Sequence, residues 1–141
     1  MCSSDLQEPL LSPSVFNFYR PFYRPPGKLT ERDRSAPTFQ ITDSFTSIAF
    51  ANSLWEVVEK GLYVYKAYQF LPDYSALLLL SDTPSALIDR VDLLFCGGSM
   101  SRGTRALIRE TVEEVPSNNP VARVKLAVAL AACSADGAVQ R

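Results

Sequence analysis

Six of the ten prolines in this 141-residue chain lie before Ile41. Each proline fixes φ and removes a backbone donor, so the first forty residues cannot carry a long helix or a central strand. After Ile41 the apolar residues recur at three- and four-residue steps instead, the spacing of helices with one buried face. The change of period predicts an all-α protein, an orthogonal bundle-like helical region over 41–141. An irregular segment rich in proline and aromatics over 1–40 packs on its helices.

Within the first part, Ser12 is placed to cap a short helix opened by Pro13, with Val15, Phe16 and Phe18 on its apolar side. Pro21 pushes Arg20 into an extended conformation and stops that helix. Pro26-Gly27 reads as the centre of a type II turn, and Lys28 to Ser35 as a charged surface loop.

The helical part divides at its glycines and prolines. Phe45, Ile48, Ala49, Asn52, Trp55, Val58 and Leu62 form a first stripe, with Asp43 or Ser44 as N-cap and Gly61 just past the end. Between Gly61 and Tyr74 the tyrosines alternate only in part, which fits either a short strand or an irregular loop. Thr83-Pro84 opens a helix with Leu87, Ile88, Val91, Leu94 and Phe95 on one side, ended by Gly97-Gly98. Ser101 caps the next, whose Leu107, Ile108, Thr111, Val112 and Val115 face inward, with Pro116 beyond its end. Asn119-Pro120 opens the last. Its Val121, Val124, Leu126, Val128, Leu130 and Cys133 leave it apolar almost all round, so neighbours must cover it on several sides or it drives self-association.

Composition excludes several functions. Histidine is absent, which removes the commonest general base and metal ligand. Cys2, Cys96 and Cys133 are dispersed, so no metal site and no cofactor is expected. Cys96 and Cys133 read as small buried hydrophobes, and spacing alone cannot license a bridge between them. A net charge of −1 supplies no surplus for nucleic acid. The longest aliphatic run, Ala76 to Leu80, is far short of the ~20 residues of a membrane span. The amino terminus lacks the charged-then-apolar pattern of a signal peptide.

The most distinctive run is Ser12-Pro-Ser-Val-Phe-Asn-Phe-Tyr-Arg-Pro-Phe-Tyr-Arg-Pro-Pro-Gly27. With Ala36-Pro-Thr-Phe-Gln-Ile41, Asp73-Tyr-Ser75, Leu87-Ile-Asp-Arg-Val-Asp-Leu-Leu94, Gly97-Gly98, Ala122-Arg-Val-Lys-Leu126 and Ala138-Val-Gln-Arg141, it resembles a family of long helical bacterial proteins. That family is the one catalogued as domain of unknown function 1800. The similarity runs from Gln7 to Arg141 and departs at Phe22 and Thr38, where the family usually has acidic residues, and at Gly137, where it has an aromatic. It implies a carboxy-terminal portion of a larger helical domain, exported to the periplasm or beyond by a signal far upstream. The upstream part of the same protein is then the first partner, and a sulfatase- or phosphatase-like exported protein a second candidate. The role implied is structural or interaction-based, without catalysis by this chain alone. The alternative is the end of a hydrolase-like enzyme whose catalytic residues lie upstream.

Three groups are candidates for recognition. Asn17, Tyr19, Arg20, Tyr23 and Arg24 interleave rings, an amide and cations, as some carbohydrate and single-strand binders do, with packing over neighbouring helices the preferred reading. Asn52 interrupts an apolar stripe, either to orient a ligand or, as the preferred reading, as a buried amide tied to the proline-rich backbone. Arg102, Arg105 and Arg109 align on one face at a helix start and form an anion-binding candidate, but Glu113 can pair with Arg109 and a solvated mixed-charge face is the preferred reading. Asp89 and Asp92 read as solvent-facing.

Overall fold

The computed structural model describes residues 12, 14–15, 18–41, 44–64 and 68–138. It is all-α with one small hairpin, in the order α1 (Lys28–Glu31), a 3₁₀ turn (Pro37–Ile41), α2 (Ser44–Lys60), β1 (Leu62–Val64), β2 (Tyr68–Phe70), α3 (Ser75–Leu78), α4 (Pro84–Phe95), α5 (Arg102–Glu114), α6 (Pro120–Cys133) and α7 (Ala135–Ala138). The chain divides into two compact units, Met1–Ser53 and Leu54–Arg141, so the division falls inside α2.

In the first unit regular structure is short, as the prolines dictate. The helix expected from Ser12 is not formed by the described residues there: Ser14 and Val15 lie in a bridge and a turn, and Pro13, Phe16 and Asn17 fall outside the described residues. Gly27 has φ 104° and ψ −150°, which gives the predicted positive φ but not the ψ of a type II turn. Its carbonyl instead accepts the Glu31 N–H and starts α1, so Lys28 to Ser35 is not all loop. Asp33, at φ 54°, ends that helical turn in the left-handed region that Asp tolerates better than most residues.

The second unit is organised by α6, which packs on α3, α4, α5 and α7. Val124, Ala127, Val128, Ala129 and Ala131 of α6 are buried, and they meet Leu87, Ile88 and Val91 of α4 and Ile108 and Val112 of α5 in one core. Alanines at the packing positions let the neighbouring backbones come close, which is how a helix apolar all round finds cover inside a small unit. Its two charges are spent on backbone ties. Arg123 donates to the carbonyls of Val115 (2.9 Å) and Ser81 (3.2 Å), and Lys125 to that of Glu59 (3.2 Å).

The predicted helix boundaries correspond to real chemistry. The Ser101 hydroxyl accepts the Thr104 N–H at 3.2 Å, and Asn119 Oδ1 accepts the Ala122 N–H at 3.2 Å, with Pro120 at the first helical position. Thr83 stands at the N-cap of α4 but makes no side-chain cap bond. Gly61, Gly97 and Gly98 all take positive φ after their helices. The ambiguous stretch after Gly61 is an antiparallel hairpin pairing Leu62 with Phe70 and Val64 with Tyr68. Gln69 Nε2 reaches back to the Lys60 carbonyl at 2.6 Å and closes the end of α2.

Several side chains differ from their expected placement. Leu94, Phe95 and Leu107 are exposed, because the buried faces of α4 and α5 are narrower than the apolar stripes in the sequence. On α2 only Val58 is buried, while Phe45 is 79% and Ile48 63% exposed. α6 is largely covered, with Val121 exposed near its start, whereas α2 leaves Phe45 and Ile48 largely uncovered. Gly137 sits where a Cβ would come within 2.2 Å of the Ala131 carbonyl oxygen. An aromatic side chain at that position does not fit this terminal turn.

Candidate functional site

Of the three candidate anion-binding arginines, Arg102, Arg105 and Arg109, the second is answered from within. Arg105 projects from the first turns of α5 and is bound by the carboxylates of both Asp89 and Asp92. Asp92, read from the sequence as solvent-facing, is 2% exposed. A buried carboxylate needs partners for its lone pairs. Asp92 Oδ1 accepts the Met100 N–H at 2.9 Å, Oδ2 accepts from Arg105, and the Asp92 carbonyl accepts both the Cys96 N–H (2.8 Å) and the Gly98 N–H (3.1 Å). Asp92 thus ties Cys96, Gly98 and Met100 together across the turn between α4 and α5.

A second buried carboxylate closes the same corner. Asp136, on α7, accepts the Ser101 N–H at 3.0 Å and the Thr104 hydroxyl at 2.8 Å. It lies where the dipole of α5 is positive, so the protein supplies its own anion at that helix start. Arg102 and Arg109 are exposed, and no ion pair joins Arg109 to Glu113. Only Arg105 of the three takes part in the corner, which forms a structural clasp. Its hidden signal was Asp92 itself, whose side chain falls on the same helix face as Ile88 and Val91.

Cys96 is buried beside this clasp, and Cys133 is exposed; both are free thiols. Burial pushes the Cys96 thiol up, the Asp92 and Asp136 charges add to the rise, and a hydrogen bond with Ser134 opposes it. Burial also raises the Tyr74 phenol, with Glu59 contributing, and that phenol donates to the Val58 carbonyl at 3.0 Å. Both groups hold their protons more tightly in the folded state than in the unfolded one. Their contribution to stability is complete below the unfolded values and falls as the pH rises from about 9 for the thiol and about 10 for the phenol. Urea midpoints measured from pH 8 to 11 are expected to decline across that window. In the Cys96→Ala, Tyr74→Phe double variant the decline should be shallower, and an identical pH profile would contradict the assignment.

The aromatic-proline candidates are partly brought together. Arg20, Pro21, Phe22, Tyr23 and Arg24 line a groove of about 520 Å³. Phe22 is 83% exposed. Tyr19 and Tyr23 are half-buried; Tyr19 does not line the groove, and Asn17 falls outside the described residues. Arg24 pairs with Asp33. Asn52 is exposed on α2, which removes the reading of a buried amide tied to the proline-rich backbone.

A second groove, of about 650 Å³, is lined by Trp55, Glu56, Glu59 and Lys60. Its charges are internally matched, Lys60 with Glu56 at 3.1 Å and Lys125 with Glu59 at 3.3 Å. Among the described residues no three acidic or cysteine side chains gather as metal ligands, and no helix is long and apolar enough to cross a membrane. No protein-family model matches the chain, and no curated protein or solved structure matches it either.

Proposed function

We propose that this chain is a structural and interaction region, docked through α2 onto the upstream part of the same exported bacterial protein. The observation that supports this reading is the pair Phe45 and Ile48, one helical turn apart and both largely in solvent. Fully covering two such side chains is worth roughly 1.5–3 kcal/mol each, a strong incentive for association. The bacterial origin and a periplasmic or extracellular location come from the family resemblance. So does a sulfatase- or phosphatase-like exported protein as a further partner. The clasp around Asp92 fits a scaffold, since its polar groups are used up holding the α4–α5 turn.

Alone at high concentration, the chain is expected to sediment as a dimer or larger species through this exposed face. The Phe45→Ser, Ile48→Ser double variant should sediment as a monomer with an unchanged urea midpoint, because neither side chain is buried. Co-expression with the upstream reading frame should yield a complex that the double variant weakens. A wild-type chain that stays monomeric and forms no such complex would refute the docking role.

A further inference from the structure

We propose that the Arg20–Arg24 loop is a binding site for small carboxylates that carry a flat apolar body. The loop is fixed by its own unit on several sides. The Arg20 N–H donates to Gln40 Oε1 at 2.8 Å and the Tyr23 N–H to the Arg20 carbonyl at 3.1 Å. The Tyr23 carbonyl accepts the Ala36 N–H at 2.9 Å, the Pro25 carbonyl accepts the Thr30 hydroxyl at 2.6 Å, and Arg24 is paired with Asp33. Only Pro21 and Phe22, at the tip, stay out of this framework. A loop held in one conformation loses little entropy when a ligand arrives.

What the loop presents has a definite chemistry. Pro21, Phe22 and Tyr23 supply apolar walls, and the groove's 520 Å³ lies within the usual range of small-molecule sites. The Arg24 charge is answered by Asp33, whereas the Arg20 guanidinium has no hydrogen bond or ion pair among the described residues. One unneutralised guanidinium beside an exposed ring favours one carboxylate, bound in the planar fork that arginine offers, with its apolar body against Phe22. A phosphate chain would require several free cations, and among the described residues the groove has one.

Benzoate is a suitable probe, with acetate lacking the ring and benzyl alcohol lacking the charge. Backbone amide spectra of the whole chain should show saturable benzoate shifts confined to residues near 20–24 and Gln40. The dissociation constant should be on the order of 1–10 mM, as befits so small a ligand. Acetate and benzyl alcohol should each bind about tenfold more weakly or worse. Arg20→Gln should reduce benzoate to the level of benzyl alcohol while keeping the backbone bond to Gln40, and Phe22→Ala should reduce it to the level of acetate. Both side chains are exposed, so the rest of the spectrum should be unchanged in each variant. Linear, unsaturable shifts, equal binding of the three probes, or full benzoate affinity in Arg20→Gln would each overturn the site. Sedimentation of these variants should match the wild type, so the site and the docking role fail independently.

Discussion

Replacing Asp92 by alanine should cost the second unit about 2–4 kcal/mol, read as a lowered urea midpoint. The substitution strands the Met100 N–H in a buried position, and an unpartnered buried donor costs about 1–3 kcal/mol. It also breaks the pair with Arg105, but that side chain is 38% exposed and retains Asp89, so solvent absorbs part of the loss. Asp92→Asn separates the two effects. The amide oxygen can still accept from Met100, and the expected loss shrinks to about 1 kcal/mol. If alanine and asparagine cost the same, the ion pair dominates and the backbone tie does not.

Local backbone chemistry made much of this fold legible. Ser101 and Asn119-Pro120 mark helix starts because their side-chain oxygens satisfy free N–H groups, and the structure contains those bonds. Gly61 and Gly97-Gly98 mark helix ends because each takes a positive φ. These signals act over three or four residues, so they survive without knowledge of the tertiary structure. Burial did not read as well. Phe45 and Leu107 obey helical period as fully as Val58 and Ile108, yet only the latter two are covered. Period tells which residues share a face, but the presence of a neighbour is a tertiary fact. Asp92 shows the converse: an acidic residue three from Asp89 looks solvated until the turn that folds over it is known. The site suffers likewise, since the partners of Arg24 and Arg105 lie 9 to 16 residues away in sequence.

Gly61→Ala should be among the most damaging small substitutions in the chain, and comparison with Gly97→Ala shows why. Both glycines end a helix with positive φ, 80° and 60°, so an alanine at either position pays the same conformational penalty of about 1–2 kcal/mol. Around Gly97 a Cβ meets nothing within 4 Å. Around Gly61 it would lie 2.4 Å from the Phe70 carbonyl oxygen and 3.1 Å from Leu71 Cδ2. The first neighbour is backbone, held by the pairing of Leu62 with Phe70, and it cannot rotate away as a side-chain tip could. Relief requires β2 to move off β1, which also draws Gln69 from the Lys60 carbonyl. The expected loss is about 3 kcal/mol or more for Gly61→Ala against about 1–2 kcal/mol for Gly97→Ala. Amide exchange adds the location: protection in β1, β2 and the last turn of α2 should fall in the Gly61 variant while α4 to α6 stay protected. Equal losses in the two variants would mean that the hairpin does not close over Gly61, since only the shared φ penalty would then remain.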